Sequence, residues 1–162
     1  GWTIAKRLLQ HERNMVSVIT GNSALARAST PKLDVLAKQY LDNGDGRISD
    51  AVIRDHVCRH QMDNKAFKLT IKRSTSEAKA GKADGNAASF IKYYNSEQNK
   101  RKYECLFQVL GTNMLGWEGP GFDEQELDCT RQWLRSRANS IEGGTSEVQL
   151  NIIAKRILGL PD

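Results

Sequence analysis

The chain has 162 residues, 39% of them hydrophobic and 27% charged, with a formal net charge of +5 at neutral pH. That length suits one domain able to bury roughly two-thirds of its unfolded surface, and that composition argues against a disordered chain. No uncharged run approaches the ~20 apolar residues of a membrane span. No Lys/Arg block interleaves with aromatic residues, so neither a stacking platform nor a basic stripe for nucleic acid is expected.

Three cysteines, Cys58, Cys105 and Cys129, lie far apart and show no metal-ligand spacing. They are expected to be isolated, buried thiols, with no structural metal, in a reducing and therefore cytoplasmic setting. No leader pattern precedes the first amphipathic stretch. The chain opens on Gly1-Trp2-Thr3 without an initiator Met, which suggests a fragment of something longer.

Six segments read as helix and none as strand. The first runs from about Trp2 to Ala28, with Ile4, Leu8, Met15, Val16 and Ile19 at helical spacing. Thr30-Pro31 opens the second, which reaches Tyr40 and stops at Asp42-Asn43-Gly44-Asp45-Gly46. Ser49 or Asp50 caps the third, which runs to about Arg73. Small polar residues from Ser74 to Asn86 read as a loop. The fourth helix spans Ala87 to Leu110, with Ile91, Tyr94, Cys105, Leu106 and Val109 in one stripe. After the glycine-rich stretch Gly111–Gly121, helices over Asp123–Ala138 and Thr145–Leu158 complete the chain, with Gly159 and Pro161 as stop signals. The expected fold is all-α, an antiparallel bundle with a four-helix up-and-down core plus extra helices, filling residues 1–162 as one domain.

Few residues carry chemistry. The 42–50 stretch mimics a calcium loop, but in that register Leu41 and Val52 hold the first and twelfth positions, where carboxylates are required. His56 and His60 are four residues apart with no third ligand and read as solvated helix residues. Glu12 stands out. At about 100° per residue it shares one arc of about 120° with Ile4, Leu8, Met15, Val16 and Ile19. A carboxylate inside an apolar stripe is either a base with a raised pKa or the partner of a cation on a neighbouring helix. Gly143-Gly144 followed by Thr145 forms a turn and a helix N-cap, whose free N–H groups favour anions. The helix beyond is apolar on two sides, Leu150, Ile153 and Ile157 on one and Val148 and Ile152 on the other, which suggests a partner subunit.

The segment Ile141-Glu142-Gly143-Gly144-Thr145-Ser146-Glu147-Val148-Gln149-Leu150-Asn151, continuing through Arg156-Ile157-Leu158-Gly159-Leu160-Pro161, resembles the C-terminal signature of bacterial acyl-CoA dehydrogenases. The stretch from Gly1-Trp2 to Glu12-Arg13 is similar to the first helix of that family's C-terminal bundle. Ser89-Phe90-Ile91-Lys92-Tyr93, with Glu97, Lys100, Arg101, Tyr103 and Glu104, resembles its middle helix. The resemblance implies a helical C-terminal domain whose N-terminal helical and middle β domains lie outside this chain. It implies FAD as cofactor, an acyl-CoA thioester oxidised to its 2,3-enoyl form, and an electron-transfer flavoprotein or similar acceptor. It further implies a homo- or hetero-oligomer assembled through the bundle.

Two family positions can hold the carboxylate that removes the α proton. One corresponds to Gly143, which has no side chain; Glu142 is out of register by one and should point elsewhere. The other is Glu12, the expected catalytic base, with Arg13 and Gly144 at the substrate. By the same resemblance, Gln108, Gly111 and Thr112 reach the adenosine-diphosphate part of FAD, and Thr145, Ser146 and Glu147 contact FAD after the catalytic loop. The stretch Asp42–Arg47 departs from the Arg and Phe-Gly-Lys pattern with which many relatives touch FAD of the neighbouring subunit. The resemblance implies that some members with that departure work as heteromeric pairs in which only one subunit carries a complete site. A non-catalytic oligomerisation subunit is therefore the second expectation.

Overall fold

The longest helix shows how local chemistry sets the architecture. In the computed structural model, which describes residues 1–9, 11, 32–82 and 87–161, this helix covers Ala51–Lys79. Asp50 caps it, its carboxylate accepting from the backbone N–H groups of Val52 and Ile53. The sequence pattern ends this helix near Arg73, yet it continues for six more residues. Nothing between Ser74 and Ala80 forbids helix: the Thr75 and Ser76 hydroxyls donate back to the carbonyls of Ile71 and Lys72, and Arg73 pairs with Glu77. The stop is Gly81 at φ 69°, where Gly81 N–H reaches Ala78 O and Lys82 N–H reaches Glu77 O. Those two bonds make a Schellman cap.

We number the helices α1 (Leu33–Leu41), α2 (Ala51–Lys79), α3 (Ala87–Leu110), α4 (Glu124–Ala138) and α5 (Ser146–Ile152). A 3-10 turn at Gly111–Leu115 follows α3, and a π-helical turn at Ile153–Ile157 extends α5. Residues 2–9 and 11 are also helical. The rest of the expected first helix, with Glu12 and Arg13, and the Thr30-Pro31 start signal lie outside the described residues. Among the described residues there is no strand; a single antiparallel bridge, Asp42 to Ile48, closes the turn after α1. There the Asp42 carboxylate accepts from the N–H groups of Gly44 and Gly46, both at positive φ.

α3 is the hub of an all-α bundle and packs against α1, α2, α4 and α5. Its residues Tyr103, Cys105, Leu106, Val109 and Leu110 meet Leu33, Leu36 and Ala37 of α1, Ile53 and Val57 of α2, and Met114 and Cys129. Ile91 and Tyr94, further up the expected stripe, are only half-buried, Tyr94 against Phe67 with ring centroids 5.3 Å apart. Cys105 and Cys129 are buried as expected, whereas Cys58 is exposed, because it lies on the outer side of α2 away from Ile53 and Val57.

α5 departs from its apolar pattern. Its buried positions are polar, Ser146 and Gln149, while Val148, Leu150 and Ile157 are exposed. Ile4 and Leu8, on the stripe that leads to Glu12, are exposed at 73% and 70%.

Candidate functional site

The turn that joins α4 to α5 is built on two glycines. Gly143 and Gly144 have φ 66° and 98°, a left-handed backbone that side chains resist. At Gly144 space is limiting too, since a Cβ there would lie 2.8 Å from Nε2 of Gln149. That amide is in use: it donates to the Gly143 carbonyl at 3.0 Å from a side chain only 3% exposed. From α3, Lys92 Nζ donates to the Gly144 carbonyl at 2.6 Å. Thr145 then caps α5, its hydroxyl accepting from Val148 N–H at 3.3 Å, the cap its sequence position predicts.

Ionised groups on α3 hold the same turn from below. Ser146 Oγ donates to Glu97 Oε1 at 2.9 Å, and Lys100 Nζ pairs with the same oxygen at 2.9 Å. Burial alone would raise the pKa of Glu97, but the bonds from Lys100 and Ser146 outweigh it and hold the carboxyl below the ordinary range. Burial lowers the pKa of Lys92, against the opposing pull of Glu142 and Glu97. Thr145, Ser146 and Glu147 line a cavity of about 350 Å³ together with Tyr93, Glu97 and Lys100. Within it Ser146 is buried and committed to Glu97, whereas Glu147 is exposed.

Glu142 points away from this cavity into a separate set of bonds. It accepts from Arg135 Nη2 at 2.7 Å and from Asn139 Nδ2 at 2.7 Å. Burial pushes its pKa up, but those two bonds and the Arg135 charge outweigh it and hold the carboxyl low. Asn139 is itself tied to α3, receiving Asn99 Nδ2 on its side chain and Ser96 Oγ on its carbonyl.

The remaining predicted residues sit at the other end of α3. Gln108 is ~24 Å along the helix axis from Lys92, at 1.5 Å per residue. Within one chain, then, the structure does not bring Gln108, Gly111 and Thr112 together with Thr145, Ser146 and Glu147. Gln108 lines a second cavity, of about 450 Å³, between α2 and α3, with His56, His60, Gln98 and Cys105. Gln98 is 6% exposed, and its Nε2 has no hydrogen-bond acceptor among the described residues. His56 is exposed as expected; His60 is half-buried, and burial, followed by the nearby Lys102 charge, lowers its pKa below that of an ordinary imidazole. No group of three or more His, Cys, Asp or Glu among the described residues could hold a metal.

The sequence profile of the acyl-CoA dehydrogenase C-terminal domain matches residues 1–158. The chain belongs to the acyl-CoA dehydrogenase family. It is similar to the acyl-CoA dehydrogenase IpdE1 of Mycolicibacterium smegmatis, 29% identical over 161 residues, a match that covers 99% of this chain and 37% of the relative. The chain thus spans under two-fifths of that relative's length. Among solved structures it resembles a variant of the Tcur3481–Tcur3483 steroid ACAD, with a TM-score of 0.72 at 22% identity over 100% of this chain and 40% of that one. That likeness is one of fold. It also resembles the ChsE4–ChsE5 complex from Mycobacterium tuberculosis, with a TM-score of 0.63 at 25% identity over 81% of this chain and 34% of that one.

Within the acyl-CoA dehydrogenase fold of this chain, Gly144, Thr145, Ser146 and Glu147 are contiguous around one turn, while Gln108 lines another cavity and Gly111 and Thr112 follow it in the 3-10 turn after α3. Three supports of the first group, Lys92, Glu97 and Gln149, were not recognisable as such from sequence. Lys92, Ser96 and Lys100 do recur at helical spacing on α3, but the bonds that reach the turn region, Lys92 to Gly144, Ser96 to Asn139 and Ser146 to Glu97, join residues 52, 43 and 49 positions apart.

Proposed function

We propose that this chain is the C-terminal helical domain of an FAD-dependent acyl-CoA dehydrogenase that oxidises an acyl-CoA thioester to the 2,3-enoyl-CoA. The observation that carries the reading is the Gly143-Gly144-Thr145 turn, fixed from α3 by Lys92 and Glu97, in a chain matched to the family over 158 residues. The orphan Gln98 amide, lining the same cavity as Gln108, fits an acceptor-rich group such as the adenosine-diphosphate part of FAD, and Gly111 and Thr112 follow Gln108 in the turn that ends α3. Thr145 and Glu147 would meet FAD at the first cavity, with Ser146 fixing them through Glu97. When bound, the flavin supplies a two-electron acceptor for the β hydride.

The chain's own residues then have separate tasks. Glu12 takes the α proton, and Arg13 and Gly144 hold the thioester; a guanidinium stays charged and does not take the proton itself. Glu142 is occupied by Arg135 and Asn139, which supports leaving it out of the chemistry. Electrons leave to an electron-transfer flavoprotein or similar acceptor, and the enzyme works as an oligomer through this bundle in the cytoplasm.

A second reading makes the chain the supporting member of a heteromeric pair. Gly143 at the carboxylate position favours it. So does the likeness to the ChsE4–ChsE5 complex.

Glu12→Gln in the intact enzyme decides between the two. If Glu12 is the base, exchange of the α proton falls by about 10² to 10⁴-fold while FAD stays bound. Unchanged exchange in both Glu12→Gln and Glu142→Gln would assign the base to a partner subunit and leave this chain supportive.

A further inference from the structure

One buried carboxylate ties together two loops at the Gln108 end of α3. Glu126, on α4, is 7% exposed. Its Oε1 accepts from Tyr40 Oη at 2.7 Å and from Asn113 Nδ2 at 2.6 Å. Its Oε2 accepts from the backbone N–H of Asp123 at 3.0 Å, completing a capping box at the start of α4. Tyr40 stands at the end of α1, next to Leu41, whose carbonyl receives Ser49 N–H and closes the 42–48 turn. Asn113 stands in the 3-10 turn directly after Gly111 and Thr112. An ordinary N-cap needs only the Asp123 bond; the two side-chain donors, from 86 and 13 residues away, add nothing to capping.

We propose that Glu126 is a positioning residue for the cofactor: by gripping Tyr40 and Asn113 on one oxygen, it fixes the Gly111–Asn113 turn against the end of α1 and so pre-organises the Gln108-Gly111-Thr112 edge for FAD. This inference rests on the assignment of that edge to the flavin. The 42–48 turn lacks the contact residues of many relatives, so its place here is to brace, through Tyr40, rather than to touch.

The test compares FAD dissociation constants of the intact enzyme, by flavin fluorescence, for Tyr40→Phe, Asn113→Ala, their double variant and Gln108→Ala. Each of the four variants should weaken FAD at least fivefold, and the double variant should be weaker by clearly less than the product of the singles, because both donors act through one carboxylate. Hydrogen exchange should quicken in 41–50 and 111–115 together in either single variant. Tyr40→Phe removes only the hydroxyl donor and keeps the ring, so its effect on FAD is read in a folded protein. If Gln108→Ala weakens FAD but Tyr40→Phe and Asn113→Ala do not, the positioning role is overturned and the flavin edge stands. If Gln108→Ala leaves FAD affinity unchanged, the assignment of the edge fails and the proposal falls with it.

Discussion

Gly144→Ala tests the turn most directly, and its cost divides into two parts. The first is backbone strain: at φ 98° an added Cβ costs about 1–2 kcal/mol. The second is displacement, because the new Cβ would lie 2.8 Å from Gln149 Nε2. Moving that amide breaks its bond to the Gly143 carbonyl and leaves a buried donor unsatisfied, another ~1–3 kcal/mol. Together they predict a loss of about 2–5 kcal/mol, or a melting temperature lower by roughly 4–20 °C for a domain of this size. Gly119→Ala is the comparison. Its φ is 111°, but nothing lies within 4 Å of the added Cβ, so only the strain applies. Thermal unfolding of the two variants, followed by circular dichroism, should place Gly144→Ala several degrees below Gly119→Ala. In a Gln149→Ala background the excess cost of Gly144→Ala should vanish. Equal melting temperatures for the two glycine variants would refute the idea that Gln149 braces this turn.

The thiols should separate by burial: a water-soluble disulfide reagent should label Cys58 rapidly, and Cys105 and Cys129 only on unfolding. Burial raises the pKa of Cys129 from 9.0 to about 11, so its contribution is whole below pH 9 and is lost as pH climbs toward 11. The stability advantage of the wild type over Cys129→Ala should therefore shrink by about 2–3 kcal/mol between those pH values, measured by urea unfolding. The purified 162-residue chain should retain no stoichiometric FAD and should self-associate, since Val148, Leu150, Leu158 and Leu160 stay exposed. A clean monomer by light scattering at micromolar concentration would count against self-association through these apolar residues.

Sequence patterns carried the bundle because its elements are signalled locally. Asp50 and Thr145 cap where their positions predict, and α3 has the bounds its periodicity gives. The pattern places the end of α2 too early because small polar residues look alike in a loop and in a helix whose hydroxyls bond back to it. Gly81 was the true stop, and it needed no change in composition. The supports of the candidate site were hidden for a different reason. Lys92 to Gly144, Glu97 to Ser146 and Tyr40 to Glu126 join residues 52, 49 and 86 positions apart, and no local pattern encodes such pairs. Only the turn they hold was visible, through its paired glycines.

That turn also bears on where a base can stand. Gly143 lies at φ 66°, so a carboxylate carried there would occupy the left-handed region at a cost of about 1–2 kcal/mol. The Gly143 carbonyl is held by Gln149, and the carbonyl of Gly144 by Lys92, which leaves this backbone little room to relax the strain. Gly143→Glu should accordingly lower the melting temperature by a few degrees, at roughly 2–4 °C per kcal/mol. In the intact enzyme, Gly143→Glu placed on Glu12→Gln should recover only part of the lost proton exchange, because the new carboxylate is bought with a distorted turn. Rapid-mixing measurement of flavin reduction with an acyl-CoA substrate would check this. Full recovery at an unshifted melting temperature would show that the paired glycines impose no constraint on the base, and that its absence from 143 has another cause.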